Sequence, residues 1–195
     1  MNIHYQIAEE SNCRQIAEMV HFATKGMIDF LFHDLIPGMT PTQMIEFSLK
    51  EDKDYHTYKN TFIAKYDNDV IGMIFAFDSI HCTINDELQA FVPKERIEHM
   101  YNVLTSRVDD SLYIDALFVH ENYRKRGIAK KLFSIVKEKA KNDKYSSISL
   151  IVLDDNDNAF DLYKKWGFTI VKKIDIEYHD YFKHDGGAYL LKYDL

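Results

Sequence analysis

Cysteine, proline and glycine are all scarce in this chain, and each scarcity closes off a class of protein. The two cysteines, Cys13 and Cys82, stand at no metal-ligand spacing, so a disulfide-stapled scaffold and a thiolate metal centre are both disfavoured. A single pairing between them stays open, although a reduced, cytosolic chain is the expectation. Three prolines and seven glycines leave no material for a Pro- or Gly-rich linker. No apolar run approaches the ~18 residues of a membrane span. The opening MNIHYQIAEE lacks the basic and apolar regions of a secretory signal. The nine histidines are scattered, with no H-E-x-x-H or related spacing, so no metal is expected. These absences point to a soluble, cytoplasmic protein with no membrane partner.

What the chain does have is core material. Thirteen Tyr and thirteen Phe sit among 46% hydrophobic residues, and 195 residues suit one domain spanning 1–195. The formal net charge of -7 argues against a nucleic-acid partner.

Residues 2–7 alternate and predict a strand. Ser11 or Asn12 can cap a following helix whose apolar stripe is Ile16, Val20, Ala23, Met27 and Leu31. After the break at Pro37, Gly38 and Pro41, a second helix is expected from Pro41 to about Leu49, capped by Thr40. NTFIAKY, DND and VIGMIFAF then read as strand, turn and strand. Residues 78–110 are hard to read apart from a helix over Lys94–Leu104 opened by Pro93. Beyond them lie an apolar, hence central, strand SLYIDALFV at 111–119, a helix from Gly127 to about Lys141, and a strand at 146–153. A short helix over Asn158–Trp166 closed by Gly167, and two last strands, FTIVKKIDIEY and GAYLLKYDL, complete the order.

One stretch is at odds with the acidic whole. Between His120 and Lys144 there are nine Lys or Arg and three acids. The first N–H groups of a helix lack partners within it, and its dipole is positive at that end. Gly127 would let a bulky anion approach the backbone, and Arg124, Lys125 and Arg126 add charge. This is a phosphate or pyrophosphate cradle. A solvated basic face with Gly127 merely turning the chain is the competing reading of the loop by itself. Lys137, Lys139, Lys141 and Lys144 read as solvated face, with no aromatic interleaved among them for nucleic acid.

Neither G-x-x-x-x-G-K-[ST] nor G-x-G-x-x-G occurs. The run Arg124-Lys125-Arg126-Gly127-Ile128-Ala129 resembles instead the [QR]-x-x-G-x-[GA] loop of the GNAT superfamily of N-acetyltransferases. In that superfamily the loop holds the pyrophosphate of acetyl-coenzyme A, and Ala129 is an allowed variant at its last position. A second segment, Asn156 to Phe168 (NDNAFDLYKKWGF), resembles the superfamily's N-x-x-A-x-x-L-Y-x-x-x-G-F, in the right order after the next strand. By itself it would read as an amphipathic helix; the two together carry the resemblance over residues 111–168. His184-Asp185-Gly186-Gly187 resembles a turn in some members, and reads best as a plain glycine turn.

The resemblance implies a mixed, mostly antiparallel α/β sheet of about seven strands flanked by helices. A parallel pair of strands, ending at Val119 and Leu153, is expected to splay at the acetyl-CoA site. It implies that the pantetheine arm bonds backbone groups of Leu117, Phe118 and Val119, and that Arg124, Lys125, Arg126, Gly127, Ile128 and Ala129 hold the pyrophosphate with Lys130. Asn156 and Ala159 then lie beside the cofactor, and Tyr163 beside the sulfur as general acid. Asp115 is a separate reading: an acid within so apolar a strand is either a general base for the incoming amine or a carboxylate bonded to a neighbouring element.

The function implied is direct transfer of acetyl from acetyl-CoA to a small-molecule or peptide amine. A catalytically weak acyl-CoA sensor or interaction module of the same fold is the alternative, transfer of a longer acyl group stays open, and so does a homodimer. Residues 78–110, with seven acids and three Lys or Arg, favour a cationic acceptor if they border the site.

Overall fold

The computed structural model describes residues 1–184 and 186–195. In chain order the elements are β1 (Ile3–Ile7), α1 (Cys13–Ala23), α2 (Met27–Phe32), α3 (Pro41–Glu51), β2 (Thr61–Tyr66) and β3 (Asp69–Asp78). Then come α4 (Asp86–Phe91), α5 (Lys94–Thr105), β4 (Ser111–Val119), α6 (Ile128–Asn142), β5 (Ser147–Leu153), α7 (Asp157–Trp166), β6 (Thr169–Ile174) and β7 (Ala188–Asp194). The strands form one sheet in the order β1-β2-β3-β4-β5-β7-β6. β1–β2, β2–β3, β5–β7 and β6–β7 pair antiparallel, while β4 and β5 run parallel. The mixed, mostly antiparallel seven-strand sheet expected from the motifs is therefore present.

The chain divides into two compact units, Met1–Phe77 with Ile114–Lys139, and Asp78–Tyr113 with Ala140–Leu195. The division falls inside β4. In the first unit, Ile16 and Val20 of α1, Leu49 of α3, and Ile63, Met73 and Phe75 of the β2–β3 hairpin are buried. In the second, Met100, Leu112, Ile148, Leu150, Phe168 and Leu191 play that part. Each such side chain contributes about 1.5–3 kcal/mol by leaving water.

Local chemistry sets most boundaries. Thr40 caps α3 through a reciprocal pair: Gln43 N–H donates to Thr40 Oγ1 at 3.2 Å, and Thr40 N–H to Gln43 Oε1 at 2.8 Å. Asp67 takes a φ of 53° in the β2–β3 turn, a conformation that Asp tolerates better than most residues. Gly167, at φ 100°, closes α7 by accepting the left-handed position after Trp166.

Three expectations need correction. The apolar stripe from Ile16 to Leu31 does not belong to one helix, because Lys25 and Gly26 take φ of 54° and 95° between α1 and α2. The corner is held by a 2.8 Å contact between His21 Nε2 and Asp29 Oδ2. The strand expected over 168–178 ends at Ile174, since Ile174 pairs with Ala188, the first residue of β7, and no partner strand continues beyond it. Residues 78–110 hold a second helix, α4, capped by Asn85 Oδ1 accepting from Leu88 N–H at 2.8 Å.

Two hydroxyls fix the start of β4 against β5 within the second unit. Ser111 Oγ donates to Val108 C=O at 2.7 Å, so it accepts from Ser149 Oγ, also at 2.7 Å. Both serines are buried, and a buried hydroxyl pair with both members satisfied fixes register as well as contributing about 1 kcal/mol.

Candidate functional site

The end of β4 turns its two faces to two helices. Phe118 lies against Phe22 of α1, with ring centroids 6.0 Å apart and planes at 24°. Val119 is directed instead toward the start of α6, where Gly72 of β3 completes the contact. A Cβ added at Gly72 would come 3.0 Å from Phe118 C=O, 3.2 Å from Val119 Cγ2 and 3.4 Å from Ile128 Cγ2. Gly72 thus allows β3, β4 and α6 to close on one another. A glycine inside a near-continuous apolar strand was its sequence signal, and sequence reasoning passed over it.

Beyond Val119 the chain forms a compact basic loop. His120 N–H bonds Ile71 C=O at 2.9 Å, and Arg124 Nε donates to Val119 C=O at 3.0 Å. Arg124, Lys125, Arg126, Gly127 and Lys130 are exposed, Ala129 is half-buried and Ile128 is buried. The Arg126 guanidinium lies 5.7 Å from the Tyr123 ring centre. Lys125 at φ 60° and Gly127 at φ 80° turn the backbone left-handed on either side of Arg126, the kind of local geometry that makes anion-binding concavities. Nothing lies within 4 Å of where a Gly127 Cβ would stand. Lys131 N–H reaches back to Gly127 C=O at 3.0 Å, so the N–H groups of Ile128, Ala129 and Lys130 fall in the unpartnered first turn of a 15-residue helix. Open space, basic side chains and that helix end together fit a pyrophosphate.

Leu117 and Phe118 are half-buried and Val119 is buried on the same strand. Asp115 is two residues before Leu117 and, by the alternation of a strand, shares the face of Leu117 and Val119. Its carboxyl is pushed up to about 6 by desolvation. The bonded-carboxylate reading of Asp115 finds no support, for no hydrogen bond reaches it among the described residues.

Asn156, Ala159 and Tyr163 belong to the second unit. The Asn156 backbone C=O opens α7 by accepting from Ala159 and Phe160 N–H, both at 3.0 Å. Tyr163 is 8% exposed, with its ring 5.8 Å from Trp166 and 5.5 Å from Phe168. Burial raises its phenol above the usual range. The turn at 184–187 includes Asp185, which lies outside the described residues. Its glycines are structural: Gly186 packs on the Asp154 carboxylate, and Gly187, at φ 95°, sits against Ile174 C=O. His184 Nδ1 lies 2.6 Å from Asp155 Oδ2.

Both cysteines are free thiols. Among the described residues no cluster of three or more His, Cys, Asp or Glu could hold a metal ion. Among them, too, no helix is long and apolar enough to cross a membrane.

No curated protein matches the chain. Solved structures share its fold. An N-acetyltransferase from Staphylococcus aureus Mu50 is 23% identical with a TM-score of 0.71, the match covering 97% of this chain and 100% of that one. A NatC complex bound to Gag peptide and CoA contains a chain 24% identical with a TM-score of 0.56, covering 100% of this chain and 99% of that one. The PaiA N-acetyltransferase from Thermoplasma acidophilum, in complex with coenzyme A, is 13% identical with a TM-score of 0.59, covering 100% of both. The model of the acetyltransferase (GNAT) family matches residues 28–168, a span that holds the basic loop, β4, β5 and α7. The chain belongs to the GNAT acetyltransferase family.

Proposed function

We propose that residues 1–195 act as a single domain that transfers the acetyl group of acetyl-CoA directly to an amine of a small-molecule or peptide acceptor. The observation that carries this reading is the basic loop: exposed Arg124–Arg126, open space at Gly127 and the free first turn of α6. Family relatives crystallised with coenzyme A support acetyl-CoA as the donor, and the NatC complex shows a family member with a peptide. The free cysteines support a reducing compartment such as the cytoplasm.

In this scheme the backbone of Leu117, Phe118 and Val119 holds the pantetheine arm. One of its N–H groups stabilises the oxyanion that forms when the amine attacks the thioester carbon. Arg124 to Lys130 hold the pyrophosphate, and Asn156 and Ala159 border the cofactor. Asp115 takes the proton that the ammonium must lose before attack, and Tyr163 donates one to the departing thiolate. The decisive experiment is an acetyl-CoA turnover assay against polyamines, amino acids, aminoglycosides and peptide N-termini. CoA release dependent on an amine is expected; binding without release from any of them would make the protein a sensor.

Asp115→Asn tests the base. A carboxyl at about 6 is ionised above that pH, so kcat/KM of the parent should fall as pH drops through ~6. The variant should be slower by about 10²-fold between that point and the pKa of the amine itself. Acetyl-CoA affinity should be unchanged. The raised carboxyl also carries a stability signature, because its neutral form is favoured in the fold. That contribution is complete below the unfolded value of about 3.9 and lost as pH rises through the folded one. The melting temperature of the variant should therefore gain on the parent between pH 4 and 7 (~3 units). Superimposable pH–rate profiles would rule Asp115 out as the base.

A further inference from the structure

On its α1 side, the end of β4 borders a groove of about 510 Å³ inside the first unit. Phe22 and Phe118 stack along its wall, yet Phe22 is 64% exposed. An exposed phenylalanine carries no weight in the core of α1, whose buried stripe is Cys13, Ile16, Ala17, Met19 and Val20. Three carboxylates, Glu18, Asp69 and Glu121, border the same groove against one cation, Arg124, whose Nε is already bonded to Val119 C=O. That balance repels the phosphates of a coenzyme and draws in a cation. The apolar wall gives an attached hydrophobic group somewhere to go.

We propose that this groove seats the acceptor, and that the acceptor is a primary amine with an aromatic or apolar tail. The tail packs on the Phe22–Phe118 pair while the carboxylates attract the ammonium. The assignment rests on the acetyl-transfer reading and deepens it. Phe118 links the two halves of the reaction: its backbone belongs to the strand assigned to the donor, and its ring to the wall assigned to the acceptor.

The test compares phenethylamine with methylamine, which has the same reacting group and no tail. Each is measured by acetyl-CoA turnover and, independently, by ligand-observed NMR binding. The parent should show kcat/KM at least about tenfold higher for phenethylamine, the size of effect an aromatic contact supplies. Phe22→Ala should remove most of that advantage, and Phe22→Leu should restore part of it. Because Phe22 is largely solvent-exposed, both variants should keep the parent's melting temperature. Equal kcat/KM for the two amines, or an advantage that survives Phe22→Ala, overturns the seat and leaves acetyl transfer standing. Phenethylamine binding that is lost in Phe22→Ala, without transfer to either amine, upholds the groove as an amine site and overturns its acceptor role together with the acetyl-transfer reading.

Discussion

Replacing Tyr163 by Phe is expected to lower kcat by roughly 10²- to 10⁴-fold, with acetyl-CoA affinity nearly intact, the usual range for a lost general acid. The structure makes this a clean experiment. The ring is held by Trp166 and Phe168, and Phe keeps every one of those contacts. The hydroxyl accepts and donates no hydrogen bond among the described residues, so its removal leaves no partner stranded and stability should change by well under ~1 kcal/mol. Burial lifts the phenol above its ordinary value, which keeps it protonated across the working pH range. A thiolate leaving in a desolvated site gains more from such a donor than it would in water. Single-turnover measurement of CoA release, alongside an acetyl-CoA thermal-shift titration, separates chemistry from binding. A loss smaller than about threefold would make Tyr163 a packing residue, with solvent supplying the proton.

Gly127→Asp should abolish acetyl-CoA binding. A ligand at a hundred times its dissociation constant stabilises the native state by about 2.7 kcal/mol. For a chain of this size that corresponds to a rise in Tm of roughly 5–10 °C. The variant should show none of it, because a carboxylate would stand where the pyrophosphate does. Space is not the obstacle in the free protein, since nothing lies within 4 Å of the Cβ position. The left-handed φ of 80° is a strain that Asp and Asn bear better than most residues. Gly127→Asn is therefore the control: it has nearly the same size and the same strain, without the charge. It should lose part of the shift while the Asp variant loses all of it. Parent-like binding by Gly127→Asp would refute the cradle.

Elements whose signals are local were legible in advance. The strand over 111–119, the Thr40 cap of α3 and the Gly167 close of α7 follow from side-chain periodicity, a hydroxyl at the right position and a glycine at the left-handed one. The basic loop was equally legible, because a helix end, a glycine and three cations lie within a few residues. Other features depended on partners remote in sequence. The break at Lys25–Gly26 interrupts a helical stripe that periodicity alone would continue. The end of β6 at Ile174 is set by where β7 begins.

The sequence by itself determined the family, the order of elements and the donor-binding loop, since each is encoded by neighbours along the chain. Only the tertiary structure decided what surrounds each side chain. It left Asp115 desolvated and unbonded, buried the Tyr163 ring between Trp166 and Phe168, and made Gly72 a contact among β3, β4 and α6. It also set Phe22, an off-stripe residue of α1, against Phe118, nearly a hundred positions away. Burial and desolvation are sums over atoms brought together by folding, and spacing along the chain does not contain them.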